Sequence, residues 1–391
     1  MSPYRIGVVG ARGIADYGGF ETVVMELAPR LRDRGYAVYL SHRGGEASRT
    51  SEEYEGAKIL YFPFRFPKSN KLGRIFEVIY DWYFVAFCSL VIRCNVIYCL
   101  GIASGPLLSL LKLSSSKAVL NLDGLEWRRA KFSLIERIYV RLAFLFSCVS
   151  ADRLVVDNSQ LMNYLPVRAQ RKASFIPYGV TSVACPTWDE SAIPQYGKGA
   201  IAKILPERYW LVVARLEPEN NIHTIVQAYS KSRGEKPLLI VGSFSSTSYE
   251  AYVRNLADAL PDGKTIIFAG SIYNQQHLSM FRCHCTAYLH GHSVGGTNPS
   301  LLEAMSARNL IVAHDNAFNR EVCGDCARFF KDADELARLM NEIEDRSSSY
   351  AGLGEKARAR TMEAYRWSEV ADAYDKLFRE LLNANQTGNQ V

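Results

Sequence analysis

The sequence lacks the features that mark membrane-spanning, disordered and nucleic-acid-binding proteins. Its longest apolar run, Trp82 to Ile92, lies between Asp81 and Arg93 and is shorter than the roughly 20 residues that a spanning helix needs. No low-complexity tract precedes the final residues, Asn383 to Val391, and no basic run carries interleaved aromatic residues. We therefore expect a chain that folds throughout, with a buried or interfacial helix at Trp82 to Ile92 and no nucleic-acid partner.

The charged fraction and the net charge of the chain are also modest. The 391 residues are 48% apolar and 22% charged with a net charge of +6, which suits phosphate-bearing ligands or an anionic membrane surface. Met1 runs directly into a strand pattern at Tyr4 to Gly10 and leaves no room for a signal peptide. We expect a cytoplasmic protein, with peripheral contact to the inner face of the cell membrane as a further option.

The nine cysteines are an odd number, and several lie in apolar stretches, which predicts reduced thiols in the core. Cys283 and Cys285, together with Cys323, Cys326 and nearby histidines, could be drawn as a zinc site. Their Cys-X-Cys spacing is unusual for zinc, so we expect no metal and no cofactor.

Strand and helix patterns alternate along the chain, as in parallel βαβ units. The predicted strands are Arg5 to Val9, Ala37 to Ser41, Lys58 to Phe62, Val96 to Cys99, Ala118 to Leu122, Arg153 to Val156, Ala173 to Ile176, Trp210 to Val213, Pro237 to Val241, Thr265 to Phe268, Ala287 to His290 and Leu310 to Ala313. The sequence therefore predicts an α/β protein with two Rossmann-like lobes facing each other across a cleft, with ligands at the carboxyl ends of the strands.

Proline and glycine interrupt this alternation near the middle of the chain. We predict an N-terminal domain at 1–185, a linker at 186–206, a C-terminal domain at 207–366, and a helix and tail at 367–391. The last helix, Ser368 to Leu382, carries an apolar stripe and can pack back on the N-terminal lobe.

Three loops at predicted strand ends could hold a phosphate-bearing ligand. Gly18 and Gly19 open the first helix, although a plain tight turn explains them equally well. Arg215 follows the first strand of the second lobe, where a guanidinium can bind a diphosphate, and Gly242 follows the next strand. Most informative is His290 to Ala307, a strand end, a small-residue loop and a helix. From it we predict donor contacts at Gly295, Gly296, Thr297, Asn298, Ser300 and Leu301, with the Glu303 carboxylate on the ribose hydroxyls.

A polar segment in the first lobe is the candidate acceptor site. Asp123, Glu126, Trp127 and Arg128 follow a predicted strand, and sugars are commonly held by carboxylates and an aromatic face. A salt-bridged loop is the alternative. Farther along, Arg137 and Arg141 share a helical face beside apolar residues, which is typical of a membrane-surface helix or of an ordinary core-facing one.

Together the Gly18-Gly19-Phe-Glu loop, Ile176-Pro-Tyr-Gly-Val180, Arg215 and Ser300-Leu-Leu-Glu303-Ala-Met resemble glycosyltransferase family 4, which has the GT-B fold. The resemblance implies a nucleotide sugar on the carboxyl lobe, an acceptor on the amino lobe, and metal-independent transfer with retention. Longer strings, including His290-Gly-His-Ser-Val-Gly-Gly-Thr-Asn-Pro-Ser300, resemble the bacterial polysaccharide rhamnosyltransferase branch. That implies dTDP-rhamnose, with a UDP-sugar as the other option, and a lipid-linked glucosyl acceptor at the membrane.

Two positions depart from the wider family. Gly295 stands where the first of two glutamates is usual, and Asn220 stands where a lysine usually binds the diphosphate. We expect Arg12 or Arg320 to assist Arg215 in its place. With Asp123 and Glu126 orienting the acceptor hydroxyl and Arg215 on the leaving group, the expected activity is a retaining hexosyltransferase. A nucleotide-sugar epimerase of GT-B form and a non-catalytic nucleotide-sugar-binding partner are the alternatives.

Overall fold

The computed structural model describes residues 3–13, 18–44, 52–65, 70–102, 104–122, 124–125, 127, 133–193, 196 and 204–388. Its chain divides into two compact units, one formed by Met1–Gly179 with Trp367–Val391 and the other by Val180–Arg366. The predicted linker, 186–206, therefore falls inside the second unit. The units are described separately below.

The first unit contains an eight-stranded sheet. Its strands are β1 (Arg5–Val9), β2 (Ala37–His42), β3 (Glu53–Tyr54), β4 (Ala57–Tyr61), β5 (Val96–Leu100), β6 (Lys117–Leu122), β7 (Arg153–Val156) and β8 (Ala173–Phe175). The order across the sheet is β3-β4-β2-β1-β5-β6-β7-β8, and only β3 runs antiparallel to its neighbour. Because both faces of such a sheet are covered, its central strands are nearly continuous apolar runs, and all five residues of β5 are buried.

Helices connect these parallel strands. They are α1 (Gly19–Asp33), α2 (Asn70–Leu90), α3 (Gly105–Leu108), α4 (Leu134–Ser150) and α5 (Val167–Gln170). A capping box begins α4, where the Ser133 side chain accepts the Glu136 N–H and the Glu136 side chain accepts the Ser133 N–H. This cap fixes where the helix starts after the candidate acceptor segment.

The second unit contains a six-stranded, all-parallel sheet. Its strands are β9 (Trp210–Val213), β10 (Leu238–Val241), β11 (Ile266–Gly270), β12 (Ala287–His290), β13 (Ile311–His314) and β14 (Ala327–Phe330), in the order β11-β10-β9-β12-β13-β14. The helices are α6 (Ile222–Lys231), α7 (Thr247–Asp258), α8 (Gln275–Cys283), α9 (Pro299–Ser306), α10 (Ala317–Cys323), α11 (Ala333–Asp345) and α12 (Leu353–Ala364). Strands β9 and β12 are neighbours at the centre, so the loops that leave them emerge side by side.

The chain returns to the first unit through α13 (Trp367–Gly388). Tyr374 packs against Tyr98 of β5 with ring centroids 5.1 Å apart, and the two hydroxyls lie 2.5 Å apart. Tyr36 donates its hydroxyl to Asp375 at 2.7 Å. The prediction that the last helix packs on the N-terminal lobe is therefore confirmed, as is that of two parallel-sheet α/β lobes.

One sequence prediction about the cysteines is wrong. Cys185 and Cys283 form a disulfide with their Cα atoms 5.6 Å apart, so not every thiol is free. The segment before residue 190 packs along the end of α8, where His284 Nε2 lies 2.9 Å from the Pro186 carbonyl oxygen, and this brings the two cysteines together. The other seven cysteines are unpaired, and six of them are buried.

Candidate functional site

The loops that follow β9 and β12 are tied together by hydrogen bonds. The Ser293 N–H and hydroxyl both donate to the Glu219 carbonyl oxygen at 2.9 Å, and Asn221 Nδ2 donates to the Gly291 carbonyl oxygen at 2.8 Å. A Cβ on Gly291 would lie 2.1 Å from the Asn220 carbonyl oxygen, so the two backbones approach too closely for a side chain there. Two of the segments singled out in the sequence therefore form one continuous surface.

Arg215 lies on that surface, two residues beyond the end of β9. Its side chain is exposed, and no described residue makes an ion pair with it. The backbone beside it is fixed because the Arg215 carbonyl oxygen accepts hydrogen bonds from Glu217 N–H at 2.9 Å and from Asn220 Nδ2 at 2.7 Å. Arg215 therefore presents an exposed cationic side chain from a hydrogen-bonded loop.

The predicted donor loop has the backbone of an anion-binding turn. Gly295 and Gly296 adopt φ values of +69° and +73°, which side chains rarely tolerate. Asn298 then caps α9, its Oδ1 accepting from the Ser300 N–H at 3.0 Å and from the Ser300 hydroxyl at 2.9 Å. Successive turned amides followed by a helix N-terminus offer backbone N–H groups to an anion. Within this loop Thr297 is buried, and Leu301 is in the core.

Tyr288 is a site residue that sequence reasoning missed. Its hydroxyl lies 2.9 Å from the Val213 carbonyl oxygen at the end of β9 and 3.0 Å from Ser300 Oγ at the start of α9. It thereby fixes the start of α9 against the strand that precedes Arg215. The signal in the sequence is a hydroxyl-bearing residue in an otherwise apolar strand.

Glu303 lies in the second turn of α9 and forms an ion pair with Arg282 of α8. The Arg282 side chain is 1% exposed, whereas that of Glu303 is 20% exposed. The predicted ribose ligand is therefore also the counter-ion of a buried arginine. Arg282 was not predicted from the sequence. A charged residue among Met280, Phe281 and Cys283 is the sequence feature that could have identified it.

Three glycines predicted to contact the donor have different local roles. A Cβ on Gly242, at φ +141°, would lie 1.8 Å from the Ala214 carbonyl oxygen, so this glycine permits the close approach of the β9 and β10 exits. A Cβ on Gly18 would lie 2.1 Å from Glu21 Oε2, and Glu21 accepts the Arg12 N–H at 3.1 Å. A Cβ on Gly19 would meet nothing within 4 Å.

Of the predicted acceptor residues, Asp123, Glu126 and Arg128 lie outside the described residues. Trp127 packs against Phe144 of α4 with ring centroids 4.6 Å apart, and the Arg141 guanidinium lies 5.8 Å from its ring. The indole is thus held on α4.

The cations expected to replace the missing lysine are both engaged with carboxylates. Arg12 pairs with Glu77 at 2.8 Å in the first unit, and Arg320 pairs with Asp315 at 2.5 Å in the second. Arg320 is exposed, and its pairing lowers the pKa of Asp315. Asn220, at the lysine position, bridges loops instead, because its Oδ1 lies 2.8 Å from His292 Nδ1.

The end of β12 also carries His290, which is buried. Burial, and then the nearby charge of His292, lowers the pKa of His290 well below its usual value, so it stays neutral near pH 7. Within the described part of the chain, no three His, Cys, Asp or Glu side chains are grouped as metal ligands would be. None of the helices in that part combines the length and apolarity needed to cross a membrane.

Two family models match parts of the chain. Residues 199–360 match the family model of glycosyl transferases group 1, and residues 4–181 match a domain of unknown function, DUF1972. O-antigen chain mannosyltransferase C of Escherichia coli is 23% identical over 395 residues, covering 94% of this chain and 96% of that protein.

Solved structures share the fold over nearly the whole chain. Sucrose-phosphate synthase from Thermosynechococcus elongatus gives a TM-score of 0.80 at 18% identity, covering 97% of this chain and 100% of that one. Anabaena HepE in complex with UDP and glucose gives 0.76 at 15% identity, with coverage of 97% and 100%. The expected fold is thus confirmed: the chain has the GT-B fold, and residues 199–360 match the model of glycosyl transferases group 1.

Proposed function

We propose that this chain transfers rhamnose from dTDP-rhamnose, with retention of anomeric configuration, to a lipid-linked sugar acceptor in bacterial surface polysaccharide synthesis. The observation that carries the proposal is the single surface made by the loops after β9 and β12. It combines the exposed Arg215, the positive-φ pair Gly295 and Gly296, and the capped start of α9.

In this proposal the second unit binds the donor through its diphosphate. An acceptor hydroxyl oxygen forms a bond to the anomeric carbon while the bond to the diphosphate oxygen breaks. The hydroxyl proton passes to the departing diphosphate oxygen, and the nucleoside diphosphate leaves. Arg215 and the backbone N–H groups at the start of α9 stabilise the charge that develops on the leaving oxygen. This chemistry requires no metal ion and no cofactor, because fixed protein dipoles and a guanidinium supply the compensating charge.

Glu303 binds the ribose hydroxyls of the donor in this account. Its pairing with the buried Arg282 supports the role, because the ion pair holds the carboxylate in one position on α9. Asp123 and Glu126 orient the acceptor hydroxyl, beside the indole of Trp127.

The named relatives support a nucleotide-sugar donor and a polysaccharide product. Solved HepE structures contain UDP, or UDP-glucose, and the Escherichia coli relative is named for an O-antigen chain. The rhamnosyl specificity rests on the resemblance of the loop from His290 to Ser300 to that branch.

The outer face of α4 supports contact with a membrane that holds the acceptor. Its exposed side chains are apolar or cationic, with Ile135 at 79% and Val149 at 72% exposure. The set comprises Leu134, Ile135, Arg137, Ile138, Arg141, Leu142, Leu145, Phe146 and Val149. A face that combines apolar insertion with positive charge and carries no acid fits an anionic lipid surface.

The test is a panel of dTDP-rhamnose, a nucleotide mannose and UDP-glucose with a lipid-linked sugar acceptor, followed by product mass. The proposal expects acceptor mass to increase by one deoxyhexose with dTDP-rhamnose, and expects Arg215→Ala to reduce turnover by about 100-fold. Transfer of another sugar overturns the rhamnosyl assignment, and tight binding without donor consumption overturns the transferase function.

A further inference from the structure

Hydrogen-bond acceptors face both ring nitrogens of His292. Its Nδ1 lies 2.8 Å from Asn220 Oδ1, and its Nε2 lies 3.0 Å from the Gly295 carbonyl oxygen. A carbonyl oxygen can only accept, so Nε2 carries a hydrogen in this contact.

The Asn220 amide is oriented by its other contact. Its Nδ2 donates to the Arg215 carbonyl oxygen at 2.7 Å, and the opposite orientation would place two oxygens together. Oδ1 therefore faces His292 as an acceptor, and Nδ1 must also carry a hydrogen. An imidazole with hydrogens on both nitrogens is the imidazolium cation.

The place of this cation is informative. His292 joins Asn220, on the loop that follows β9, to Gly295, on the loop that follows β12. Arg12 and Arg320, the other candidates for the missing charge, are paired with Glu77 and Asp315. His292 lies three residues before Gly295, next to the turn that leads into α9.

We propose that His292, held as an imidazolium between Asn220 and Gly295, is a positioning residue that supplies positive charge to the donor diphosphate. The inference rests on the proposed function, since it concerns the same donor surface. His292 acts on the diphosphate through its charge and by fixing the Gly295 turn, while Arg215 makes the direct contact.

Other charged and titratable groups lie on the elements packed against this ring. They are His290 at the end of β12, His314 at the end of β13, Asp315 directly after it, and Arg320 on α10. The loop that follows β9 adds Arg215, Glu217 and Glu219. Burial lowers the pKa of both His290 and His314, so these rings are neutral and do not compete for the role. Asp315 is compensated by Arg320.

The first test needs no donor. The chain has seven histidines, so selective ¹⁵N labelling with His292→Gln for assignment gives the ring nitrogen shifts of His292 in the full protein. We expect both nitrogens to be protonated near pH 7. One unprotonated nitrogen at that pH overturns the proposal, whatever the protein binds.

The second test measures donor affinity against pH, from about pH 6 to about pH 9, with dTDP-rhamnose and UDP-glucose, whose diphosphates do not titrate there. Affinity of the wild type should fall about tenfold as His292 loses its proton, the equivalent of ~1.4 kcal/mol. His292→Gln should bind weakly and without that pH dependence, whereas Asn220→Lys combined with His292→Gln should recover affinity with a flat profile.

His223→Gln is the matched control, because His223 in the same unit contacts Tyr249 on α7 and burial lowers its pKa. It should leave the pH profile unchanged. A flat wild-type profile, or a His292→Gln variant that stays folded and retains the wild-type profile, contradicts the role. If neither donor binds the wild type, the proposed function itself fails, and the ¹⁵N spectrum still decides the protonation state.

Discussion

At the scale of single residues, the ion pair between Arg282 and Glu303 places a positive charge in the interior of the second unit. The two residues lie on different helices, α8 and α9, and the arginine side chain is 1% exposed. Removing one partner of a buried pair leaves the other charge uncompensated. Glu303, which is predicted to bind the donor, therefore also contributes to the stability of the second unit.

We predict that Glu303→Ala lowers the free energy of unfolding by about 3–5 kcal/mol, measured by urea denaturation. Glu355→Ala is the matched control, since its pair with Arg308 at 3.3 Å is exposed and should contribute less than about 1 kcal/mol. Equal losses from the two variants would contradict the structural role of the buried pair. Glu303→Gln, which keeps the side-chain shape, is the better variant for measuring donor binding.

The residue types on the candidate donor surface could be predicted from the sequence, but the side chains that they contact could not. Glycine spacing and a capped helix after Asn298 follow from local sequence, because backbone conformation depends on near neighbours. The pairing of Arg282 with Glu303, and of His292 with Asn220, joins residues separated by 21 and 72 positions. Such pairs depend on which strands become neighbours, and a single sequence does not specify that.

At the scale of elements, glycines at strand exits set how closely the β9 and β10 loops approach. Gly242 and Gly270 both have positive φ, but only Gly242 has backbone within reach of a Cβ. We predict that Gly270→Ala costs about 1 kcal/mol and Gly242→Ala at least about 3 kcal/mol of unfolding free energy. Equal losses of unfolding free energy in the two variants, measured by chemical denaturation, would contradict the role of the Ala214 contact. Backbone conformation alone would then explain the glycine at position 242.

Helix α2 carries a buried acid whose ionisation lowers the free energy of unfolding at high pH. Burial, and then the charge of Glu77, raise the pKa of Asp81 to about 8, far above its unfolded value. The folded protein therefore binds this proton more tightly, and stability falls as pH rises from the unfolded pKa toward about 8, by at most about 1.4 kcal/mol per pH unit.

We predict that Asp81→Asn removes this loss, so the variant gains stability relative to the wild type as pH increases over that window. Denaturation at several pH values measures the difference, with the exposed Asp33→Asn as control. A difference between Asp81→Asn and wild type that does not change with pH would contradict the assigned protonation state.

Most elements could be predicted because strand and helix periodicities are local. The spans of β1, β7, β9 and β12 agree with the sequence prediction residue for residue. Two strands were missed: β3 has two residues, and β14 is an edge strand whose Arg328 interrupts its apolar pattern. The disulfide was missed because Cys185 and Cys283 are 98 residues apart and meet only after the segment packs on α8.

At the scale of the whole molecule, the first unit is completed by the last helix of the chain. Phe378 of α13 is fully buried and lies near both Tyr36 and Tyr98, with ring centroids 6.2 Å away in each case. The N-terminal unit therefore depends on residues that follow the entire second unit in sequence.

We predict that Phe378→Ala lowers the unfolding free energy by about 3–5 kcal/mol through loss of burial and creation of a cavity. Glu380→Ala, an exposed position on the same helix, should change it by no more than about 0.5 kcal/mol. Calorimetry checks both variants, and an unchanged transition for Phe378→Ala would contradict the docking of α13.

The central claim is that the donor surface of the second unit serves sugar transfer to an acceptor. The most direct measurement is nucleoside diphosphate release from dTDP-rhamnose with and without a lipid-linked sugar acceptor. The account predicts release only with acceptor, one nucleotide for each sugar added, and its loss in Arg215→Ala. Equal turnover without acceptor, or binding with no release under either condition, would contradict it.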